Sequence, residues 1–464
     1  MQSAPGGERG LRQFAVWTGP RRVPPAQGEP RHVASHHPRP PLPEGPFLVV
    51  GLARSGQAAA WLLAELGEEV IGADAGAPDG AERLREAGVE VNLNGDREEL
   101  VERAHCVVKS PGVPRESPAV RRALTLGVPV IGELELAWRL LPNRFVAVTG
   151  TNGKTTVAEL LGHVWRVAGE PVAVAGNVGT PLAALVGELD ADATVICEAS
   201  SFQLEDSTDF APECALLLNA TPDHLDRHRS FDEYVGAKLR IFACQRAGDT
   251  AIVDRSDPVI AGLELPGAAR EVDVATADLP FQPSGGWIVG GHNARNARFA
   301  AAAGLAMGLD PASAETGIAS FSGLPNRLER VAEAGGVAYV NDSKATNVAA
   351  ATAALRSFDG GVHVILGGSL KGEDFAGLAE PVAERAVAAY LTGPAAGPIA
   401  AVLAPTGVPV QRYDGLEQAF AAAAAAAEPG ETVLLAPACA SFDAYRDYEA
   451  RGDHFRRLVE GLRP

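Results

Sequence analysis

Short apolar runs, each broken by glycine or by polar turn residues, recur along the chain. A run of four to six apolar residues without alternation reads as a strand buried on both faces, the pattern of a parallel sheet covered by helices. Residues 47–51 (Phe47-Leu48-Val49-Val50-Gly51) begin the series, and a glycine turn through Gly56 follows. Residues 58–66 read as a helix, and 69–74 as a second strand ending in Asp74. Residues 107–113 read as a strand running into a turn at Gly112. The succession restarts near Asn143, with strands at 145–148, 193–197 and 214–218, an amphipathic helix at 157–167 and a closing helix at 293–307. It restarts again after Pro325, with strands at 337–340, 362–366 and 433–436 and helices at 347–355 and 416–427. Strands alternating with helices predict parallel sheets. The chain is therefore expected to hold three consecutive α/β domains, over 46–142, 143–324 and 325–464: the first and last Rossmann-like, and the middle one, by its glycine loop Thr149-Gly150-Thr151-Asn152-Gly153-Lys154-Thr155-Thr156, P-loop ATPase-like.

Composition alters this picture in one place. Residues 1–45 are rich in proline and arginine and lack apolar periodicity. They are expected to form a disordered extension, neither a signal peptide nor a transit peptide. No run reaches the roughly 18 apolar residues of a membrane helix, so no membrane insertion is expected. The formal net charge of -18 argues against a nucleic-acid partner, because such binders carry a basic face. It leaves room for an anionic small substrate held by helix N-termini and local cations. The five cysteines are scattered and form no CxxC pair, which fits a reducing, cytoplasmic setting rather than a thiolate metal site.

The strongest chemical signal is Thr149-Gly150-Thr151-Asn152-Gly153-Lys154-Thr155-Thr156, between a strand and a helix. Glycines let backbone N–H groups approach phosphate oxygens, and the helix presents its positive end to the same anion. Lys154 is suited to terminal phosphates and the Thr155 hydroxyl to Mg²⁺, although the GxxGKT spacing is two residues shorter than the common phosphate loop. Glu198 follows a strand, where phosphate-loop enzymes place a Mg²⁺ ligand; taken alone it reads rather as a solvated helix-cap acid. His224, in Thr221-Pro222-Asp223-His224, is another cation candidate, and Lys238 lies fourteen residues on. From spacing alone Lys238 is a surface helix lysine, and Arg227 and His228 are ordinary polar surface. Asn293 and Asn296 suit either a base contact or a helix cap. Three polar clusters follow strands of the last domain: residues 341–347, 367–372 and 437–443. They are expected to converge at one sheet edge, with Arg327 nearby, in a setting suited to carboxylate and phosphate.

Taken in order, these motifs resemble the Mur ligase family over about residues 46–464. The segments that carry the resemblance are TGTNGKTT, EASSFQLE, TPDHLDRH with the later AKLRIF, GGHNARN, NDSKATN and PACASFDAY. The last two are typical of the branch that adds D-glutamate, and the DNPR signature of the diaminopimelate- or lysine-adding branch is missing. The resemblance implies a cytoplasmic, monomeric, ATP-dependent amide ligase of peptidoglycan synthesis. It would join D-glutamate to UDP-N-acetylmuramoyl-L-alanine through an acyl phosphate, with Mg²⁺ at two sites. By the same resemblance Gly150, Thr151, Asn152, Gly153, Lys154, Thr155 and Thr156 hold ATP phosphates, and Asn296, Arg327 and Asp342 contact ATP. Thr155, Glu198, His224 and a carbamylated Lys238 hold metal. Lys344, Thr346, Lys371 and Ser441 serve D-glutamate, while Ser55, Asp74, Gly112 and Asn177 touch the UDP-sugar. Asn326, Ser369-Leu370 and Tyr448 depart from the family's usual residues, which bears on substrate contacts rather than on the catalytic groups. Sister Mur enzymes, a folylpolyglutamate-type ligase and the same ligase using L-glutamate stay open. So do an NAD(P) oxidoreductase, against which the incomplete GxGxxG weighs, and a non-catalytic ATP switch.

Overall fold

The computed structural model describes residue 35 and residues 37–462, apart from 96, 225, 226, 289, 371 and 373. The expected site residue Lys371 and most of the expected disordered extension lie outside the described residues. The chain folds into two compact units. The first holds Arg39–Pro142 and Thr180–Asp192, and the second holds Ser35–Pro38, Asn143–Gly179 and the chain from Ala193.

The first unit is built on a five-stranded parallel sheet. Its strands are β1 (Phe47–Val50), β2 (Val70–Ala73), β3 (Glu90–Asn92), β4 (Cys106–Lys109) and β5 (Val130–Gly132), in the order β3-β2-β1-β4-β5. β1, β2 and β4 are buried at every position. The helix Arg54–Glu65 buries Ala59, Ala60 and Leu63 against one face. Strand order reverses between β1 and β4, and ligands of such sheets bind beyond the carboxyl ends at that point.

The second unit carries two sheets. The central one contains β6 (Phe145–Thr149), β7 (Val172–Gly176), β8 (Thr194–Glu198), β9 (Cys214–Leu217), β10 (Thr250–Val253) and β11 (Arg270–Asp273), all parallel in the order β11-β10-β9-β6-β8-β7. The helix Lys154–Val167 leaves β6 after the glycine loop. Its Val157, Leu160, Leu161, Val164 and Trp165 repeat at helical spacing and enter the core. Each such fully buried side chain contributes roughly 1.5–3 kcal/mol. The last sheet contains β12 (Glu329–Ala334), β13 (Val337–Asn341), β14 (Val362–Gly367), β15 (Ala386–Thr392), β16 (Val410–Tyr413) and β17 (Thr432–Leu435). Their order is β12-β13-β17-β14-β15-β16, with only β12 antiparallel. β13, β17 and β14 are therefore neighbours, and the polar clusters that follow them share one edge.

The expectation of disorder through residue 45 fails for its described part. The Ser35 hydroxyl bonds Glu213, and His37, 4% exposed, bonds Asp249 through Nε2 at 2.9 Å. In the first unit the Arg39 guanidinium donates to the Leu141 carbonyl at 3.0 Å and lies 4.2 Å from the Trp138 ring. Composition concealed this because a few specific polar anchors, rather than apolar periodicity, hold the segment.

Candidate active site

The loop after β6 is shaped by two glycines with positive φ, Gly150 at 152° and Gly153 at 85°. A side chain on Gly150 would come 3.1 Å from Leu218 Cβ, and one on Gly153 would come 3.1 Å from Asn296 Oδ1. Glycine is thus favoured by the backbone conformation, and a side chain at either position would also press its neighbour back by a few tenths of an ångström. The loop is stitched to the segment after β9. Thr151 N donates to the Asn219 carbonyl at 3.1 Å, Asn152 N donates to Asn219 Oδ1 at 2.9 Å, and Asn219 Nδ2 donates back to the Asn152 carbonyl at 3.0 Å. Thr151 Oγ1 lies 3.0 Å from the Tyr234 hydroxyl. Gly153 is the N-cap of the following helix and brings no side-chain cap, so the first-turn N–H groups can serve an anion.

Two lysines meet at this loop. Lys154 Nζ donates to the carbonyls of Gly150 and Thr151 at 2.8 and 2.9 Å, and Lys238 Nζ donates to the same Gly150 carbonyl at 2.8 Å. Lys238 is 1% exposed, with its ammonium 4.4 Å from the Tyr234 ring centroid. The surface position expected from spacing alone is thus wrong, because the helix Phe231–Leu239 turns Lys238 inward beside Tyr234, Val235 and Ala237. Burial, and then the charge of Lys154, push the Lys238 amine down to about 7. Burial also lowers Lys154, against the pull of Glu198 and Asp223.

Glu198 ends β8 beside the loop, 3% exposed, and its Oε1 accepts from Asn177 Nδ2 at 2.9 Å. A side chain on Gly176 would meet the Glu198 carbonyl at 2.2 Å, so glycine permits this approach. His224 has φ 53°, and its Nε2 lies 3.6 Å from Asp223. Its ring packs at 5.0 Å on Phe202. Contrary to the surface expectation, His228 is 5% exposed. It is stacked 5.1 Å from Phe202 and bonded to Ser201 at 3.0 Å. Sequence spacing held no sign of this, since only the fold places Phe202 beneath it.

From the last sheet, Arg327 Nη2 donates to Thr155 Oγ1 at 3.3 Å. Asp342 follows β13 and accepts from Leu328 N at 3.3 Å; desolvation pushes its carboxyl up to about 7. Lys344 Nζ lies 3.9 Å from the Tyr448 ring centroid, and its amine is lowered by burial and by Arg327. Thr346 N donates to the Lys344 carbonyl at 2.7 Å, and buried Ser441 lies in the turn after β17. Arg451, which no sequence motif singled out, is 4% exposed. It donates to the carbonyls of Ser343, Cys439 and Ala440 at 3.0, 3.1 and 3.3 Å, pinning the two loops together.

Ser55, Asp74 and Gly112 stand in the first unit, at the carboxyl ends of β1, β2 and β4. Asp74 accepts from Leu52 N at 2.6 Å and from Gly76 N at 2.8 Å, which braces the glycine turn. The fourth expected UDP-sugar residue, Asn177, stands in the second unit on Glu198.

Among the described residues no group of three or more His, Cys, Asp or Glu side chains is arranged to hold a metal. The donors near the loop form a mixed set instead: the Thr155 hydroxyl, the Glu198 carboxylate, the His224 imidazole and Lys238. Hard divalent cations favour oxygen. Thr155 and Glu198 supply such oxygens; Lys238 would join them only with an oxygen-donating group, and an amine lowered to about 7 can add CO₂ to become a carbamate, releasing one proton. Among the described residues, no helix is long and apolar enough to cross a membrane.

Three family models match in sequence. These are the Mur ligase MurD-like N-terminal domain over residues 46–132, the Mur ligase middle domain over 148–279 and the Mur ligase glutamate ligase domain over 326–439. UDP-N-acetylmuramoylalanine--D-glutamate ligase from Pelotomaculum thermopropionicum is 41% identical over 443 residues, covering 90% of this chain and 97% of its own length. The enzyme of the same name from Solibacter usitatus is 41% identical over 435 residues, at 90% and 98% coverage. Among solved structures, UDP-N-acetylmuramate-alanine ligase MurC from Thermotoga maritima shares the fold at TM-score 0.53 and 17% identity, covering 89% of this chain and 99% of its own. Bifunctional folylpolyglutamate synthase/dihydrofolate synthase from Yersinia pestis, complexed with AMPPNP and Mn ion, matches at TM-score 0.50 and 20% identity, with coverage of 70% and 92%.

Proposed function

Because the chain belongs to the Mur ligase family, we propose that it joins D-glutamate to UDP-N-acetylmuramoyl-L-alanine with hydrolysis of ATP to ADP and phosphate. The observation that carries this reading is the charge arrangement at the glycine loop. Two lysines share the Gly150 carbonyl, Glu198 ends the neighbouring strand, and Arg327 reaches Thr155 from the last sheet. Lys154 and the uncapped helix start offer positive charge to a triphosphate, while Glu198 and Lys238, the latter once carbamylated, offer oxygens to its magnesium.

The substrate carboxylate attacks the γ-phosphorus of ATP, giving an acyl phosphate and ADP. The neutral amine of D-glutamate then attacks the acyl carbon, and the tetrahedral adduct expels phosphate. Positioning and charge stabilisation carry most of phosphoryl transfer. Lys154 and the loop amides take the phosphate oxygens, with Lys154 exchanging its two loop carbonyls for them. Arg327 and Asn296 serve ATP. Asp342, with its carboxyl near 7, can accept a ribose hydroxyl proton in a hydrogen bond. Lys344, Thr346, Ser441 and Lys371 serve the amino acid, and Ser55, Asp74, Gly112 and Asn177 the UDP-sugar. Magnesium, at two sites, would be held by Thr155, Glu198, His224 and the Lys238 carbamate, and would neutralise charge on the phosphoryl oxygens. The reaction is placed in the cytoplasm, on a monomer.

Phosphate release with UDP-N-acetylmuramoyl-L-alanine, ATP and a panel of D-Glu, L-Glu, L-Ala and diaminopimelate tests the reading. Turnover is expected with D-Glu alone. Equal turnover with L-Glu removes the stereochemical assignment, and turnover only with another amino acid removes the function.

A further inference from the structure

Arg327 reaches the Thr155 hydroxyl from a turn whose backbone has an uncommon shape. Among the described residues five other than glycine have positive φ. Two of them, Asn326 at 63° and Leu328 at 42°, stand on either side of Arg327. Side chains disfavour this left-handed region, asparagine least, so a turn that enters it twice needs support from its surroundings.

The support is a set of buried polar bonds that the reaction scheme leaves unused. Asn326, 3% exposed, donates its backbone N–H to Glu329 Oε2 at 2.8 Å, and its Oδ1 accepts from Asn341 Nδ2 at 2.9 Å. Asn341 ends β13 and is fully buried; its Nδ2 also donates to Glu329 Oε2 at 2.9 Å. Arg456 Nη1 closes the set by donating to the same oxygen at 2.7 Å. Arg456 and Gly452 belong to the helix Tyr448–Glu460. A side chain on Gly452 would come 1.6 Å from Asn326 Oδ1, so this helix is bare where the Asn326 amide enters. The turn is tied to the loop after β13 at two more points. Leu328 N donates to Asp342 Oδ1 at 3.3 Å, and Lys344 N donates to the Asn326 carbonyl at 3.1 Å. None of these bonds uses the Arg327 guanidinium, whose Nη2 is directed at Thr155 Oγ1.

We propose that Asn326 is a positioning residue that acts through Arg327. Its amide fills the gap over Gly452 and bonds Asn341, which holds the turn in its left-handed form. That form aims the guanidinium at the phosphate loop. The inference rests on the reading above that Arg327 serves ATP. A residue that only stabilised the fold would matter equally with or without Arg327 and would disturb every substrate. One that aims Arg327 matters only while Arg327 is present, and only toward ATP.

Steady-state kinetics of the full-length protein, Asn326→Ala, Arg327→Ala and the double variant test it. Arg327→Ala should lower kcat/KM for ATP about a hundredfold. Asn326→Ala alone should lower it about tenfold, with KM for D-glutamate and for UDP-N-acetylmuramoyl-L-alanine changed less than about twofold. In the Arg327→Ala background the same substitution should cost less than about twofold, because the interaction it serves is already gone. An equal loss in both backgrounds makes Asn326 a structural residue and overturns the proposal. So does an unchanged kcat/KM for ATP in Asn326→Ala, or a parallel rise in all three KM values. Arg327→Ala without effect would instead remove the ATP role of Arg327, which keeps the two failures apart. If Asn326→Ala does not fold, Asn326→Gly takes its place in the same cycle, since glycine accepts the left-handed backbone and lacks only the side-chain bonds.

Discussion

The central sheet buries charge at both of its ends, and the two ends treat it in opposite ways. At the amino end every charge described has a complement. Glu213 accepts from the Ser35 hydroxyl and from Phe145 N, the latter at 2.7 Å, while Asp249 accepts from His37 at 2.9 Å and from Arg246 N at 2.6 Å. At the carboxyl end two ammonium groups converge on one carbonyl, both with lowered amine pKa. Buried charge that is reciprocally paired holds structure together. Buried like charges that repel, offset only in part by Glu198 and Asp223, leave the site able to take up a further anion. The distinction between a scaffold end and a reactive end therefore lies in whether the protein alone satisfies its charges.

The largest expected effect comes from the crowded end itself. Lys154→Ala should lower kcat/KM by about a thousandfold or more, the scale of deleting a charge that acts on developing phosphoryl oxygens. The check is steady-state phosphate release. Turnover near the wild-type value would mean that the crowded end is not the reactive one.

Lys238 sharpens the comparison, because catalysis and stability should move in opposite directions. Lys238→Ala is expected to lose about a hundredfold or more in rate, with partial recovery on adding formate, acetate or propionate to replace the carbamate oxygens. Lys238→Met keeps the volume and removes the repulsion, so the ligand-free protein should melt about 2 °C or more above wild type. A substitution that leaves the rate intact, or that lowers the ligand-free melting temperature, would place Lys238 among the scaffold charges.

At the other end the prediction reverses. His37→Ala leaves the Asp249 carboxylate buried with one fewer donor, and should cost about 2 kcal/mol of stability in urea unfolding. It should not alter KM for any substrate. A changed KM for ATP with unchanged stability would break the division between the two ends.

Much of this is legible in the amino-acid sequence. The buried central strands announced themselves as unbroken apolar runs, such as residues 145–148 and 214–218, and TGTNGKTT fixed the reactive end by its chemistry. Edge strands were not legible. β11 reads Arg-Glu-Val-Asp and β16 reads Val-Gln-Arg-Tyr, each partly exposed, so neither carries a continuous apolar signal. β15 is rich in alanine, which favours helix by propensity, and tertiary pairing overrides it. The inward turn of Lys238, the stacking of His228 on Phe202 and the Arg451 clamp all depend on contacts distant in sequence, and no local pattern encodes them. The same holds for the arm at Ser35 and His37, whose partners lie 178 and 212 residues away.

The smallest expected effect concerns a third kind of buried charge, one held mainly by backbone donors, with Arg54 the weakest of the groups that favour its ionised form. Glu133, after β5 in the first unit, is 1% exposed. Its Oε1 accepts from Ala183 N at 2.7 Å, and its Oε2 has no partner among the described residues. Burial pushes its carboxyl up to about 7 from the ordinary 4.5, against two backbone bonds that lower it. Between these values the unfolded chain ionises while the folded chain keeps its proton. The group's contribution to stability is therefore full below pH 4.5 and is lost as pH rises through 7. Glu133→Gln removes this loss. The amide keeps an acceptor for Ala183 N but buries an extra N–H, so the net gain above pH 7 should be about 1 kcal/mol. Urea unfolding of both proteins at pH 5 and pH 8 provides the measurement, with the variant gaining relative to wild type only at the higher pH. An equal difference at both pH values would mean that the folded protein holds Glu133 ionised throughout, through a partner for Oε2 beyond the protein's own groups.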